Sequence, residues 1–515
     1  MVNGVLYLLA IASSSMLCLF MALKLGLMLW WRPRTIERHF AKQGVRGPPY
    51  RFLIGNAKEL VELMAKSTSQ PMLSFSHNIL PRVLSFYHHW RKIYGATFIM
   101  WFGPSVRITV SEPDLIREVL ISKAHFYEKV VAHPLLKNLE GDGLLSLEGA
   151  KWASHRRIIA PTFYMENLKL LIPAVTEIIT RWSDSLPEEE VEIDAYQCFH
   201  SLTEDMITRV IFGDCDYAKG KPIIALQSKQ MVLMADAFRK VLIPGYRFLP
   251  TKLNFTLRRL AKEIKVSLES FLDRREENLV ASHKSIVASM NKALNYDPNV
   301  ALTDIVEECK TLFFAGKQTT TNLLTWTMIM LSMHTSWQEA ARAEVISVCG
   351  SHDSPSKDHV VKMKTMSMIL NETLRLYPPV VAVIRRCKTD VDLGGLNILR
   401  GMELLVPILA VHHDQSLWGP DANDFNPSRF SDGAARAAKH PLAFIPFGVG
   451  PRNCVGQNLV ILQIKVALSI LLRRFEFRLA PHYRHAPTVK MLLYPEHGAP
   501  IIFRRLLSSH RDVTL

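Results

Sequence analysis

The first 23 residues contain no lysine, arginine, aspartate or glutamate. A cleaved signal peptide needs a basic start and a shorter apolar core, so this segment is expected to stay on the protein. No nucleic-acid-binding motif is present, and beyond Tyr50 there is no internal repeat and no long low-complexity tract. The 515 residues include seven cysteines, Cys18, Cys198, Cys215, Cys309, Cys349, Cys387 and Cys454. They lie far apart, without the paired spacing of a disulfide framework or a zinc site, and fit a reducing compartment. Gly316-Lys317 lacks the upstream glycine and the following Ser or Thr of a phosphate loop. His412-His413-Asp414 lacks a helical i,i+4 histidine pair, so it is expected to make a loop contact and not to bind a metal.

The apolar character resumes after Lys24 and ends at Trp30-Trp31, a length sufficient to cross a hydrocarbon core of about 30 Å. Arg32, Arg34, Arg38, Lys42 and Arg46 follow at once. The positive-inside rule then places the remainder in the cytosol. On that side the sequon Asn254-Phe255-Thr256 is not expected to be glycosylated. Gly47-Pro48-Pro49 ends any helix and stiffens the exit. The chain therefore divides into a transmembrane signal anchor over 1–31, a basic and proline-rich linker over 32–49, and one large domain over 50–515. The net charge of +15 suits a solvated cytosolic face with some docking to a membrane or partner.

Periodicity predicts mainly α structure with minor β. Thr97–Val110 alternates as a strand region, and Asp390–Ile408 forms a second one with turns at Gly394-Gly395 and Arg400-Gly401. Asp304 to about Met333 reads as a helix roughly 45 Å long with Thr303 as its N-cap. Ala281–Val300 is weakly patterned and is expected to be a loop with a short helix.

Chemistry concentrates at Phe447-Gly448-Val449-Gly450-Pro451-Arg452-Asn453-Cys454-Val455-Gly456. The apolar run Leu459–Leu472 predicts a helix immediately after Cys454, so the sulfur would sit at a helix N-terminus, where backbone N–H groups favour a thiolate. Gly450 permits the turn, and Gly456 admits a flat ligand. The spacing F-x-x-G-x-R-x-C-x-G resembles the haem-binding loop of the cytochrome P-450 superfamily at every fixed position. That resemblance implies the superfamily fold, α+β with α predominant, and a single haem-binding domain. It also implies haem b with Cys454 as axial thiolate and metal ligand, and with Phe447, Arg452 and Gly456 in the cofactor loop.

Further segments resemble the superfamily in its order along the chain. Trp152-Ala153-Ser154-His155-Arg156 matches W-x-x-x-R, which implies that Trp152 and Arg156 lie near a haem propionate. Arg452 and Arg385 resemble further propionate partners, with Arg386 as the alternative to Arg385. Glu372-Thr373-Leu374-Arg375, followed by Leu376-Tyr377-Pro378-Pro379 and then by Phe425-Asn426-Pro427-Ser428-Arg429-Phe430, implies by resemblance a buried Glu372–Arg375–Arg429 network that locks the cysteine loop. Ala315-Gly316-Lys317-Gln318-Thr319-Thr320 resembles the oxygen-activation segment, with Ala315 and Gly316 making room for dioxygen and Thr319 relaying protons. Gln318 stands where an acid is usual, so proton delivery must use Thr319 with water or another group.

Arg46-Gly47-Pro48-Pro49-Tyr50, Phe86–Gly95 and Glu140–Ser146 look like a plant clan that hydroxylates hormones and terpenoids. Within it the chain is most similar to the brassinosteroid-inactivating subfamily, supported by His485–Val489 and Val360–Lys364. Ser285–Met290 departs from that pattern, where an acidic residue before two leucines is usual. The resemblance implies a monooxygenase that uses O2 and NADPH-derived electrons from a separate NADPH-cytochrome P-450 reductase. The enzyme would hydroxylate a small apolar steroid, with Phe313, Ala315, Val381, Val383, Leu493 and Tyr494 as pocket residues by family position. The endoplasmic reticulum membrane is the expected location, with a single span, a lipid-facing anchor and no nucleic-acid partner. Gibberellins, cytokinins and fatty acids remain open as substrates, as does a reductase-independent haem-thiolate isomerase, although branches of that kind tend to lose the threonine that Thr319 supplies.

Overall fold

The computed structural model describes residues 2–69, 72, 75–131, 134–214, 216–237, 246–273, 285–294, 296, 297, 300–350, 352 and 354–506. Cys215 lies outside them, as do residues 281–284, 295, 298 and 299 of the weakly patterned stretch. The chain forms two compact units. One comprises Met1–Gln70, Leu80–Val130 and Ala382–Pro407, the other Pro71–Ile79, Val131–Val381 and Ile408–Leu515.

The first unit begins with helix α1 (Val2–Gly26), a π turn over Leu27–Trp31 and helix α2 (Arg32–Lys42). Within this run the helix Ile11–Lys42 is long enough to cross a membrane and holds an 18-residue apolar window with a mean hydropathy of 1.7. Trp30 and Trp31 are exposed, and the Arg34 guanidinium lies 3.9 Å from the Trp30 ring centroid. The stretch expected as a linker thus holds a helix, and its Pro33, Ile36 and Phe40 are buried.

Strands β1 (Ile99–Phe102), β2 (Ser105–Thr109), β3 (Tyr127–Lys129), β5 (Val383–Cys387) and β8 (Glu403–Val406) form one sheet in the order β1-β2-β8-β5-β3. Its residues are buried on both faces of β1, where Ile99, Met100 and Trp101 are all covered. Strands β6 (Val391–Leu393) and β7 (Leu396–Ile398) pair across Gly394-Gly395, both at positive φ, so both predicted strand regions are present. Glu403 is buried between Arg107, at 2.6 Å, and Arg386, at 3.0 Å. That ion triad pins β2, β5 and β8 together.

In the second unit the helices that position the site are α3 (Gly149–Ile159), α4 (Ile172–Asp184), α5 (Ala195–Phe212), α6 (Tyr217–Ala237), α7 (Leu302–Met333), α8 (Lys364–Leu376), α9 (Ile408–His412) and α10 (Gln457–Arg474). Strand β4 (Val191–Asp194) pairs with β12 (Pro500–Arg505), which also pairs with β9 (Phe475–Leu479). Strands β10 (Pro487–Lys490) and β11 (Leu492–Pro495) form a hairpin. A short helix over Ile286–Leu294 occupies the weakly patterned stretch.

Helix α7 spans 32 residues, about 48 Å at the standard rise. It starts one residue earlier than its predicted cap. Ala301 is extended and serves as N-cap, and its N–H is taken by Asp304 Oδ2 at 2.8 Å, whereas Thr303 lies inside the first turn. The carboxylate three residues on reaches back to the cap, a job the shorter threonine cannot do from within the helix. Helix α10 is buried almost all round from Leu459 to Leu472, which explains its unbroken apolar run.

Candidate functional site

The residues around Cys454 fold as a short 3-10 turn, Gly450–Arg452, followed by α10 with Gly456 as its N-cap. Gly450 adopts φ +75°, a conformation that a side chain at this turn would oppose. The Cys454 N–H donates to the Phe447 carbonyl at 2.9 Å, which closes the loop on itself. The sulfur faces the helix end and receives the N–H groups of Gly456 and Gln457. Burial among protein atoms pushes the thiol pKa up, while these two donors and the Arg156 charge act in the opposite sense. Cys454 is nonetheless exposed. A group that is both desolvated and open to approach sits in a concave wall, as a ligand to a large planar group must. A metal cation at the sulfur would offset the desolvation of the thiolate and so favour its deprotonation.

Helix α3 supplies the neighbours. Arg156 donates to the Asn453 carbonyl and to Asn453 Oδ1, both at 2.8 Å, and meets no carboxylate among the described residues. Arg452 donates to the Leu147 carbonyl at 2.7 Å, pairs with Glu148, and lies 4.1 Å from the Trp152 ring centroid. Desolvation lowers the pKa of both arginines. Two partly buried guanidiniums beside the cysteine, of which only Arg452 is paired with a carboxylate, Glu148, fit the two carboxylates of a haem. Trp152, Arg156, Arg452, Phe447, Gly456 and Cys454 are thus brought together. Arg385 and Val383 sit on β5 of the first unit, where Arg385 donates to the Ile384 carbonyl at 3.0 Å and Arg386 is engaged by Glu403.

Helix α7 is buried along most of its length but opens at its middle, where Ala315 is exposed and Phe314, Gly316, Gln318 and Thr319 are half-buried. Thr319 Oγ1 donates to the Ala315 carbonyl at 2.6 Å. Thr320, Thr321, Thr325, Thr327 and Ser332 make the same bond to the carbonyl four residues back. Gln318 donates to Tyr196 Oη at 2.8 Å and to Asn322 Oδ1 at 2.9 Å, so its amide is fixed. A Cβ on Gly316 would come within 2.6 Å of Ile207 Cδ1, so a side chain here would displace the Ile207 side chain where α5 meets α7. Lys317, which no motif singled out, is fully buried, pairs with Glu204 and donates to Ser228 Oγ at 2.7 Å.

Glu372 and Arg375 form a bidentate pair, fully buried, with both bonds at 2.7 Å. Arg375 also donates to the carbonyls of His412, Ala422 and Asp424. Arg429 Nε lies 3.5 Å from Glu372 Oε1, and the Arg429 guanidinium pairs with Asp421. The two histidines of the His412-His413-Asp414 run are buried parts of this assembly. The Ile445 N–H donates to His412 Nε2 at 3.0 Å, so Nδ1 carries the proton toward the Arg375 carbonyl. His413 Nε2 bonds the Leu376 carbonyl at 3.0 Å. Burial lowers the pKa of His412 to about 3 and of His413 to about 4. Among the described residues no group of three or more His, Cys, Asp or Glu is arranged to hold a metal ion. No local motif announces this use of His412, because its partners lie 33 and 37 residues away.

Of the candidate pocket residues, Phe313 and Leu493 are fully buried, Val381 is buried and Tyr494 is half-buried. Phe313 lies beneath the Lys317 ammonium, and the Tyr494 ring centroid is 6.1 Å from that of Tyr196.

A family model described as Cytochrome P450 matches residues 72–503. Cytochrome P450 734A1 of Arabidopsis thaliana is 62% identical over 94% of this chain and 94% of its own length. Cytochrome P450 734A6 of Oryza sativa subsp. japonica is 52% identical over 95% of each. Among solved structures, the retinoic acid bound cyanobacterial CYP120A1 superposes with a TM-score of 0.74 at 22% identity, covering 84% of this chain and 96% of that one, a likeness of fold. With a mostly helical fold and a cysteine loop built to hold a haem, the chain belongs to the cytochrome P450 family of haem-thiolate monooxygenases.

Proposed function

We propose that this protein hydroxylates the side chain of a brassinosteroid, and so inactivates the hormone, with Cys454 as the residue that would hold haem b through its thiolate. The observation that carries the haem assignment is the Cys454 sulfur in its concave wall, with two backbone N–H donors and the Arg156 and Arg452 guanidiniums beside it. When bound, haem supplies the oxygen chemistry, and a thiolate ligand favours O–O cleavage. Per turnover one O2, two electrons and two protons convert a C–H bond to C–OH and release one water. A separate NADPH-cytochrome P-450 reductase delivers the electrons.

In this reading Arg156 and Arg452 would bind the haem carboxylates, with Trp152 stacked on Arg452. Phe447 and Gly456 line the cofactor's face. The Glu372–Arg375–Arg429 network, joined through His412 to Ile445, holds the cysteine loop at its fixed height. Ala315 and Gly316 leave room at the middle of α7, and the Thr319 hydroxyl, already oriented by the Ala315 carbonyl, holds and passes a proton. Phe313, Val381, Leu493 and Tyr494 shape an apolar pocket. Gln318, tied to Tyr196 and Asn322, orients α7 without titrating.

The steroid assignment is supported by the resemblance of the quoted segments to the brassinosteroid-inactivating subfamily. A large apolar substrate also partitions into the bilayer, where an anchored enzyme meets it. The apolar helix and its basic flank support residence in the endoplasmic reticulum membrane, with the catalytic domain facing the cytosol. The test is to incubate reductase-reconstituted membranes with labelled brassinosteroids, gibberellins, cytokinins and fatty acids and to identify products by mass. Side-chain hydroxylated brassinosteroids as the sole products are expected. A product series from another class would overturn the substrate reading and leave the haem assignment standing.

A further inference from the structure

A chain of five aromatic and imidazole side chains crosses the core of the second unit without entering the mechanism above. Tyr483 Oη is 2.9 Å from His485 Nδ1, His485 Nε2 is 3.1 Å from Tyr377 Oη, Tyr377 Oη is 2.7 Å from His77 Nδ1, and His77 Nε2 is 3.3 Å from His334 Nε2. With each group neutral, one direction of donation satisfies all four bonds. Tyr483 donates to His485, His485 to Tyr377, Tyr377 to His77 and His77 to His334. The reverse direction satisfies them equally, so the chain can pass a proton along by inverting. Burial and the neighbouring His334 keep His77 neutral, with its pKa lowered to about 3.

Tyr377 is also stacked on Trp326 of α7, with ring centroids 4.3 Å apart and planes 15° from parallel. Trp326 follows Thr319 by seven residues, about 10 Å along the helix. Both rings are fully buried. The indole N–H of Trp326 finds no acceptor among the described residues, whereas the Tyr377 hydroxyl has one at 2.7 Å. An electron vacancy on Trp326 therefore cannot be relieved by losing a proton, and one on Tyr377 can.

We propose that Tyr377 is a redox-active tyrosine, reached through Trp326, which reduces an over-oxidised haem centre when no substrate is there to consume the oxidising equivalent. Tyr377 gives up one electron to a haem centre that a peroxide has oxidised. Its hydroxyl proton moves to His77 Nδ1 while the Nε2 proton of His77 moves to His334 Nε2. The oxidant gains one electron, Tyr377 becomes a neutral phenoxyl radical, His77 ends neutral, and the extra proton sits on half-buried His334, from which it reaches solvent. This depends on the chain binding haem, as its family does.

The experiment uses the full-length, haem-loaded protein in detergent, mixed with a peracid in the absence of substrate, frozen and examined by electron paramagnetic resonance. A phenoxyl signal that narrows when the tyrosines are ring-deuterated and vanishes in Tyr377→Phe is expected, together with several-fold faster bleaching of the haem in that variant. The same signal in Tyr377→Phe, or none in the wild type, would overturn the proposal. Should Tyr377→Phe fail to load haem, His77→Gln carries the test. Loss of the signal there supports proton transfer to His77, and an undiminished signal overturns it. A wild-type protein with no haem absorbance would instead sink the cofactor assignment.

Discussion

Arg375 and His412 exchange two hydrogen bonds, from Arg375 Nη1 to the His412 carbonyl at 3.0 Å and from His412 Nδ1 to the Arg375 carbonyl at 3.2 Å. Because the other His412 nitrogen accepts the Ile445 N–H, the buried ion pair on α8 reaches the strand of chain that leads into the cysteine loop. Removing one partner of such a pair leaves an uncompensated buried charge. Arg375→Met should destabilise the protein by about 3–5 kcal/mol, and Glu372→Gln by less. Denaturant unfolding checks the size, and reduced haem content in the purified variants checks the link to the loop.

Cys454→Ser should keep the fold and abolish the thiolate-type Soret shift of the reduced carbon-monoxide complex. An alcohol is a poor thiolate substitute and the sulfur's two N–H donors have nothing else to stabilise. Survival of that spectrum would remove the haem-ligand assignment.

Thr319→Ala should retain haem and waste reducing equivalents as hydrogen peroxide, because the helix bond lost to the Ala315 carbonyl is small while the oriented hydroxyl is gone. The ratio of product formed to NADPH consumed is the measurement. An unchanged ratio would show that protons arrive by another path.

Three buried histidines make stability depend on pH. His77 and His412 are lowered to about 3 and His413 to about 4 from an ordinary value of 6.5. Below 6.5 the unfolded chain binds protons that the folded chain refuses, so stability is complete above that value and declines as pH falls toward the folded values. Each group contributes a slope approaching 1.4 kcal/mol per pH unit, written as about 4 kcal/mol per unit for the three together. Unfolding in urea at about pH 7 and about pH 5 should show the loss, and His412→Gln should flatten the slope.

Gly316→Ala should destabilise by about 1–3 kcal/mol, since its Cβ would meet Ile207 Cδ1 at 2.6 Å. Ile207→Val removes that methyl group and should recover most of the loss. A double-mutant cycle measured by thermal unfolding tests the coupling.

What the sequence made legible was contiguous. The cysteine loop, the Glu372–Arg375 spacing and the helix around Thr319 each fit within a few residues, where geometry follows from local rules. The roles of His412, Lys317 and Tyr377 depend on partners 33 to 300 residues distant. Lys317 in particular reads as a solvated cation until the fold brings Glu204 and Ser228 to it. The N-cap of α7 was misplaced by two residues because Thr303 is the stronger local signal, while the carboxylate of Asp304 reaching back to Ala301 decides the boundary. The helix Arg32–Lys42 is hidden by its charge, since its few apolar residues, among them Ile36 and Phe40, are buried.

The row of threonine and serine hydroxyls along α7 has a mechanical meaning. Each shares a carbonyl that the main-chain ladder already uses, which loosens that rung. Six such shared rungs between Thr319 and Ser332 spread compliance over half the length of a helix clamped at Lys317 by an ion pair. Helix α7 can therefore flex as a leaf spring does, by small amounts at many points.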